Sequence, residues 1–505
     1  MSSLHTKAAC FATLTALVAC TSTTAVLHHP AAPHAKPPVA FARPTPPTIA
    51  RENDLAGTRD WRLDVKRPGS IDGYAWASSV AAGDPLTLSV GSVHPFTGDV
   101  YRLGWYHGTG GRLIAKLPQF RAQPQPSCLI RGPRNTVTCG WRATTTIRTS
   151  TAWVSGVYLV KLLAHDGSEA YIPFVVRERT PRAPILVQVS VNTWQAYNSW
   201  GGASLYKRIG VGFPHATADR SRAVTFDRPY EWPGAGQIFD FEYPLIYWLE
   251  SQGEDVAYGT DVDLDKGLDS LPRRRIFIAA GHDEYYSTSM RDALTRARAE
   301  GVNLMFLGGN DVFRHIRFED GDRVEVMYKW AREDPLATTD PKMATGDYRA
   351  ATLDDPEQAV LGEMHQACPQ RTADWVPTRS PAWLFARTGF TRGSVVRLLF
   401  GYEYDAFYPA FPAPDHVQLI ARGRTTCGFP SSTLYVAASG AIVFDAGSIW
   451  FDCGLGPGCD DPWLRMPRDA EVPIHPSISV DPRLRRLVDN LLNRMLVERA
   501  RAHVA

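Results

Sequence analysis

Hydrophobic and polar positions alternate along residues 61–178 with the period of two that is typical of β-strands. The segment DPLTLSVGSV shows this alternation, and so does VYRLGWYHG before the turn residues HGTGG. Asp166-Gly167 stands between two apolar runs, where this dipeptide favours a two-residue hairpin turn. Short strands at this spacing, with no helical period between them, predict a β-sandwich of immunoglobulin-like architecture over residues 59–180.

The period of the pattern changes after Pro184. The apolar segments ILVQVSV, DVAYGT, RRRIFIAAG and VNLMFLGGN are predicted strands, and YPLIYWLESQG and STSMRDALTRARAEG are predicted helices between them. The second helix carries Met290, Leu294 and Ala297 on one face and ends at Gly301. Strands that alternate with helices indicate a parallel sheet covered on both faces, so residues 181–505 are predicted to form an α/β domain.

The N-terminus has the pattern of an export signal. The apolar stretch AACFATLTALVA follows a lysine and is 12 residues long, which is too short to span a bilayer. Leu17-Val18-Ala19-Cys20 looks like the lipobox of a bacterial lipoprotein, in which Cys20 carries the lipid; an ordinary signal peptide cut a few residues later is the alternative. Residues 1–20 are therefore the expected signal. Residues 21–58 are proline-rich and predict an extended linker to a protein that is membrane-anchored, periplasmic or extracellular.

The net charge and the cysteine content indicate which kinds of partner and which cellular compartment to expect. The net charge is +2 and no basic run interleaves with aromatic residues, which argues against nucleic acid as a partner. Six cysteines follow Cys20, and an even number in an exported protein favours disulfides over metal ligands. Short separations favour the pairs Cys128–Cys139 and Cys453–Cys459, which leaves Cys368 with Cys427, although six cysteines permit 15 pairings.

Polar side chains gather where two predicted strands end. RRRIFIAAG is followed by His282, Asp283 and Glu284, and the next strand is followed by Gly308-Gly309-Asn310. The two strands and the helix between them predict one right-handed β-α-β unit, so both loops lie at the same carboxyl edge of the sheet. Ligands bind at this edge in open α/β folds. The structural alternative is a capped helix start, at which the helix dipole favours the two acids.

A third strand end adds hydroxyl groups to this edge if ILVQVSV is parallel to the other two strands. It would bring Thr193 and Tyr197 close, and Tyr206 with them. The sequence contains no HExxH, GxSxG, P-loop or GxGxxG motif, and its cysteines and histidines lack the spacing of a zinc site. The candidate chemistry is therefore one of phenols, a carboxylate, an imidazole and an amide.

Several motifs together resemble the large subunit of N,N-dimethylformamidase and its relatives. They are NTWQAYNSWGGASLY, FDRPY, GHDEYYS and FLGGNDVF, and the similarity covers most of roughly residues 184–500. The preceding β region also looks like the domain found there in many relatives. The resemblance implies a three-layer α/β domain similar to class I glutamine amidotransferases without their cysteine nucleophile. It also implies a mononuclear ferric ion, Fe(III), held by two tyrosines and one glutamate.

The resemblance implies a role for individual residues of this sequence. Tyr197 in QAYN and Glu284 in GHDEY match two of the metal ligands. Tyr230 in FDRPY is the preferred match to the second tyrosine, with Tyr206 and Tyr243 as alternatives. The other matches are to active-site residues beside the ligands: His282, Asn310, Thr193, Glu403 in GYEYD and, as a weaker match, Lys329.

The chemistry of these residue types suits amide hydrolysis. Ferric ion prefers oxygen donors, and two phenolates with one carboxylate balance its three charges. Three protein ligands leave positions for water and a substrate carbonyl, as in metal-assisted hydrolysis. His282 or Glu403 would move a proton to the departing amine, and Asn310 would hydrogen-bond the substrate. Tyr285 and Tyr286 are expected to serve packing.

Two observations leave the function open. The amide hydrolase of the family works with a small partner subunit and is not exported, whereas this chain has an export signal and no match to a small subunit. The alternative function is a non-enzymatic surface lipoprotein that binds glycan or another envelope component with its sandwich and aromatic cleft. A third possibility is an exported hydrolase of the same fold that acts on an ester or a glycan amide.

Overall fold

The computed structural model of the chain describes residues 49–64, 68–210, 218–268, 271–366, 372–459, 461, 463 and 478–502. These residues belong to one compact unit. The predicted signal, Cys20 and Cys368 lie outside the described residues, and so does the predicted linker up to residue 48. Of the helices in the described part of the chain, none is long and apolar enough to cross a membrane. The fold is rich in β-sheet and contains few helices.

The N-terminal part consists of a short helix and ten strands. Helix α1 (Ile49–Asn53) lies in the segment predicted as linker, yet the side chains at both of its ends are buried, so the folded part begins before residue 59. The strands are β1 (Ile71–Ala75), β2 (Ser79–Ala81), β3 (Pro85–Ser92), β4 (Phe96–Leu103), β5 (Gly111–Lys116), β6 (Leu129–Arg131), β7 (Thr136–Thr138), β8 (Thr145–Arg148), β9 (Gly156–Ala164) and β10 (Glu169–Arg177).

These strands form two sheets and a hairpin. One sheet has the order β1-β3-β8, the other has the order β2-β10-β9-β4-β5, and β6 pairs with β7. Strands β9 and β10 are antiparallel, which confirms the hairpin predicted at Asp166-Gly167. Val160 and Ile172 pack into the core between the two sheets. Leu159 and Val175 point to the opposite face and join a core shared with the C-terminal part, as expected for a sheet buried on both faces.

The C-terminal part is built on a nine-stranded sheet of the order β13-β11-β14-β16-β26-β25-β24-β21-β22. Its strands and those of the smaller sheets are β11 (Ile185–Val189), β12 (Ala223–Thr225), β13 (Val256–Thr260), β14 (Ile276–Gly281), β15 (Tyr285–Ser287), β16 (Asn303–Gly308), β17 (Arg314–Glu319), β18 (Val324–Val326), β19 (Gly346–Asp347), β20 (Met364–Gln366), β21 (Ala373–Pro377), β22 (Val396–Phe400), β23 (Tyr404–Ala406), β24 (Gln418–Arg422), β25 (Ser431–Val436) and β26 (Ile442–Asp445). The helices are α2 (Val191–Tyr197), α3 (Tyr243–Ser251), α4 (Asp261–Asp265), α5 (Thr288–Ala299), α6 (Gln358–Leu361) and α7 (Pro482–Ala502).

The large sheet is mixed rather than parallel throughout. Strands β13, β11, β14, β16 and β26 are parallel to one another, and β25, β24, β21 and β22 continue the sheet from β26 with antiparallel pairing. The prediction of a parallel sheet is therefore confirmed for the first five strands only. The reason lies in the connections, because β25 and β26 are joined by a short turn, and only a longer crossover can make neighbouring strands parallel.

The predicted β-α-β unit is present and is covered on both faces. Strand β14 lies parallel to β16 with Gly281 opposite Gly308, so both strands end at the same edge. Alternate residues of β14 enter two different cores, Ile278 on one face and Phe277 on the other. Helix α5 packs on the second face through Met290 and Leu294, as its sequence pattern predicts.

Two of the three expected disulfides are seen. Cys128 is bonded to Cys139 and Cys453 to Cys459, which confirms both pairings that the short separations favoured. Cys427 is also disulfide-bonded. Its predicted partner, Cys368, lies outside the described residues.

A buried ion pair joins the N-terminal sheet to helix α3. Arg102 on β4 and Glu250 on α3 are both fully buried, with Arg102 Nη2 2.7 Å from Glu250 Oε1 and Nη1 2.9 Å from Oε2. Asn53 and Tyr258 donate further hydrogen bonds to the same carboxylate, at 2.8 and 2.9 Å. Charges removed from water need such a full set of partners. The sequence separates the two charged residues by 148 positions, so only the tertiary structure reveals the pair.

We predict that Glu250→Gln destabilises the protein strongly, because it leaves the Arg102 guanidinium buried without a counter-charge. The expected loss in the free energy of unfolding is about 3–5 kcal/mol, measured by denaturant titration. Asp84→Asn is the matched control, since it breaks the exposed pair of Asp84 with Arg179 and should cost less than about 1 kcal/mol. Equal losses in the two variants would contradict a structural role for the buried pair.

Candidate metal centre and active site

Glu284 is the residue on which the candidate site converges. Its Oε2 atom accepts hydrogen bonds from the hydroxyl of Tyr197 at 3.0 Å and from that of Tyr206 at 2.9 Å. The two hydroxyl oxygens are 2.8 Å apart, and the two rings stack with centroids 4.2 Å apart. Three oxygens from three places in the sequence therefore share one small volume.

Local structure explains why these side chains meet. Strand β14 ends at Gly281, whose φ of 65° and close approach to Phe241 exclude a side chain there. The chain then turns, and the backbone N–H of Glu284 donates to Thr193 Oγ1 at 3.0 Å. Thr193 lies on α2, which follows the parallel strand β11, so the predicted meeting of these strand ends is observed. The last residue of α2 is Tyr197.

A second group lies beside the glutamate. His282 Nε2 is 3.3 Å from Glu284 Oε2 and 3.1 Å from Glu403 Oε2. Asn310 Nδ2 donates to Glu403 Oε2 at 2.9 Å, and the backbone N–H of Asn310 donates to Asp405. Asn310 has a φ of 60°, a left-handed conformation that asparagine adopts more readily than most residues with a side chain. The structure thus brings together His282, Glu284, Asn310 and Glu403 as predicted.

Buried charges shift the acidities of this group in opposite directions. Burial alone would raise the pKa of Glu284, but His282, Arg314 and Lys329 hold it well below its usual range. Burial opposes protonation of His282, yet the charges of Glu403 and Glu284 outweigh it and raise the pKa of His282 to about 9. The pKa of Glu403 is raised by burial. The group therefore contains one firmly ionised carboxylate, a proton-holding imidazole and a second, more basic carboxylate.

Two basic residues, Arg314 and Lys329, border the cluster. Arg314 Nε donates to Glu284 Oε1 at 3.1 Å, which leaves the other carboxylate oxygen to the tyrosines and His282. The ammonium of Lys329 lies 3.1 Å from the centroid of the Tyr206 ring. Burial, together with Arg314, lowers the pKa of Lys329 well below its usual value. Lys329, the weakest of the sequence matches, therefore does lie at the site.

The second tyrosine of the cluster is Tyr206, which the sequence offered only as an alternative. Tyr230, the preferred match, packs edge-on against Trp194 with ring centroids 5.9 Å apart and lines a cavity next to Tyr197. Tyr243 packs against Trp61 and Phe239 in the main core. The motif FDRPY carries no information on which hydroxyl reaches Glu284, because that depends on how the loop after α2 folds back.

Sequence reasoning missed Arg314, and for Tyr285 it predicted the packing of the ring but not the contact of the hydroxyl with Tyr206. Arg314 begins β17, which pairs in parallel with β15 and so places Arg314 opposite Tyr285, next to Glu284. The hydroxyl of Tyr285 donates to that of Tyr206 at 2.7 Å, whereas Tyr286 bonds Asp283 at 2.6 Å. For Tyr285, the only signal in the sequence was its position directly after Glu284.

The residues present fit a bound cation. His282, Glu284 and Glu403 each offer a ligand atom within 4.8 Å of one another. His282 Nε2 is buried near two carboxylates, but within the described residues neither contact is aligned as a hydrogen bond. Neighbouring oxygens around an octahedral ion with bonds of about 2.0–2.1 Å are about 2.9 Å apart. The 2.8–3.0 Å separations among Tyr197, Tyr206 and Glu284 match that spacing.

The family model described as N,N-dimethylformamidase beta subunit-like, C-terminal matches residues 97–461 of the chain. The chain belongs to this N,N-dimethylformamidase-like family. The match begins in β4, so it includes much of the N-terminal β region as well as the strands that carry the site. Family membership thus agrees with the resemblance carried by the motifs around Tyr197, Glu284 and Asn310.

Other comparisons add little. No curated protein matches the chain. One solved structure with some similarity is a cycloisomaltooligosaccharide glucanotransferase from Paenibacillus sp. in complex with cycloisomaltoheptaose, at 10% identity, covering 74% of this chain and 71% of that chain, with a TM-score of 0.17. A likeness of this size carries no argument about fold or function.

We predict that substitutions of Tyr206 and of Tyr230 have different effects on metal binding by this N,N-dimethylformamidase-like chain. Tyr206→Phe should weaken Fe(III) binding by more than the roughly 10–100-fold typical for loss of an outer partner, because it removes an oxygen beside Glu284. Tyr230→Phe is the matched control and should leave the affinity unchanged. Competition with a chelator measures both, and the reverse order of the two effects would restore Tyr230 as the ligand.

Proposed function

We propose that the protein is an iron(III)-dependent hydrolase of an amide C–N bond. The observation that carries this proposal is the meeting of two phenol oxygens and one carboxylate oxygen within 2.8–3.0 Å of one another at a buried strand-end site. Ferric ion is hard and prefers such donors, and two phenolates with one carboxylate would balance its charge. Membership of the N,N-dimethylformamidase-like family supports the same chemistry. Tyr197, Tyr206 and Glu284 would hold the ion.

The chain's own residues are arranged to manage protons and orient a substrate. A bound ferric ion would supply polarisation of the amide carbonyl and a water of lowered pKa. His282 Nε2, which lies between two carboxylates, can hold a proton and deliver it to the departing amine. Glu403, whose Oε2 atom lies 3.1 Å from His282 Nε2, can accept a proton from the attacking water and pass it to His282 for the next turnover. Asn310 Nδ2, which donates to Glu403, fixes the carboxylate and offers a donor to the substrate oxygen.

A small aromatic cavity next to Tyr197 supports a small substrate. Its volume is about 40 Å³, and its walls include Trp194, Tyr230 and Trp232. A space of this size holds a few water molecules or a short substituent rather than a large acyl or sugar group. Tyr197 belongs both to the cluster and to the wall of this cavity, so we propose that the cavity receives the substituent of a small amide.

We also propose a cellular location for the protein and a specific fold for each of its two parts. Two observed disulfides, Cys128–Cys139 and Cys453–Cys459, support an oxidising compartment, as the N-terminal signal pattern does. We propose that the protein is exported and anchored through a lipid on Cys20. We also propose that its N-terminal sheets correspond to an immunoglobulin-like sandwich and its C-terminal part to a three-layer fold of the glutamine amidotransferase type.

The decisive experiment is metal analysis joined to an activity assay. Purified protein should contain about one iron per chain, show a visible tyrosinate-to-iron charge-transfer band and release amine from N,N-dimethylformamide or another small amide. Glu284→Ala should remove the iron, the band and the amine release together, because it deletes the carboxylate shared by both tyrosines. Asp292→Ala changes an exposed acid on α5 and serves as the matched control, which should retain all three.

Two other outcomes would contradict parts of this proposal. Protein that contains zinc or no metal, and whose properties do not change in Glu284→Ala, would contradict the iron hydrolase. Iron and the band without amine release from any amide would keep the metal centre and contradict the amide substrate. An ester or glycan amide would then be the next class to assay.

A further inference from the structure

The two tyrosines of the cluster have unequal surroundings. The buried hydroxyl of Tyr285 donates a hydrogen bond to the Tyr206 oxygen at 2.7 Å, and the ammonium of Lys329 lies 3.1 Å from the centre of the same ring. Tyr197 accepts a hydrogen bond from Tyr206 itself, at 2.8 Å, and its ring stacks on Tyr206 and meets the edge of His282 with centroids 5.5 Å apart. Tyr206 is thus the phenol of the pair that receives a hydroxyl donor from outside the cluster.

The surrounding structure fixes the position of Tyr285. It begins β15, and its carbonyl accepts a hydrogen bond from Asn192 Nδ2 at 3.1 Å. Its ring is fully buried in an apolar cluster with Leu205, Ile316 and Met327. A hydroxyl group that is buried away from water needs a hydrogen-bond partner, and for Tyr285 that partner is the Tyr206 oxygen. The contact is therefore built into the scaffold.

We propose that Tyr285 is a positioning residue of the metal centre that holds the Tyr206 oxygen by a hydrogen bond and thereby makes Tyr206 a weaker electron donor than Tyr197. This inference rests on the proposed ferric site. A phenol that is not a metal ligand keeps its proton near neutral pH, so Tyr285 can donate to an ionised Tyr206. Hydrogen bonds to an ionised acceptor are the strong ones.

The expected consequence is a more electrophilic site. A partner that draws electron density from a ligand reduces what the ligand gives to the metal, and such outer partners change metal affinity or activity by roughly 10–100-fold. Tyr285 acts on Tyr206 at the oxygen that would bind the metal. Substitution of Tyr285 should therefore change the electronic properties of the site.

The test compares the visible spectra of Tyr285→Phe and Tyr286→Phe in the full iron-loaded chain. Tyr285→Phe removes the donor to Tyr206, so the charge-transfer band should move to longer wavelength, with iron retained and amide hydrolysis reduced roughly 10-fold. Tyr286→Phe is the matched control, because Tyr286 is equally buried but its hydroxyl bonds Asp283. Its band should not move.

A second measurement needs no variant and covers the case in which Tyr285→Phe fails to fold. Resonance Raman spectra of the wild-type protein, excited in the charge-transfer band, should show two sets of phenolate modes, and only one set should shift in D₂O. Two equivalent sets, or an unmoved band in folded Tyr285→Phe, would overturn this inference while leaving the ferric site intact. A wild-type protein without the band overturns the proposed function and this inference with it.

Discussion

The structure of the site depends on the burial of one carboxylate. Glu284 is almost inaccessible to solvent, and a buried ionised acid is tolerated only when charges and hydrogen bonds replace its water. Arg314 occupies one of its oxygens, and the other faces Tyr197, Tyr206 and His282. The segments that follow β11, β14 and β16 must therefore come together around it, and the geometry of the candidate metal centre follows from that requirement.

The scaffold supplies the rigidity that this arrangement needs. Parallel pairing aligns Gly281 with Gly308, so the loops that follow β14 and β16 start level with each other. On the far side of the main core, the five-stranded N-terminal sheet packs against the same hydrophobic residues and is joined to α3 by the Arg102–Glu250 pair. The N-terminal β region is thus part of the structural support of the C-terminal part. This agrees with a family match that begins at residue 97.

Left-handed backbone conformations occur at several places in the described chain, and three of them lie at or next to the candidate site. Asn310, Val312 and Lys329 adopt left-handed backbone conformations with φ between 56° and 65°, which are costly for residues with side chains and especially for a β-branched valine. Asn310 and Lys329 border the cluster, and Val312 donates its backbone N–H to the carbonyl of Asp283. Such conformations persist only where surrounding contacts enforce them. Together with the unequal surroundings of the two tyrosines, they describe a centre shaped by its outer partners as much as by its ligands.

The sequence by itself determined the strand and helix pattern, the Asp166-Gly167 hairpin, the β-α-β unit and two disulfides, because these follow from local periodicity, turn chemistry and short separations. It also placed His282, Glu284, Asn310 and Tyr197 at one sheet edge, because parallel strands end at the same edge. Only the tertiary structure decided that Tyr206 rather than Tyr230 reaches Glu284, that Arg314 and Tyr285 border the cluster, and that the large sheet is mixed. Those outcomes depend on how loops fold back and on pairings between residues far apart in the chain, which no local pattern encodes.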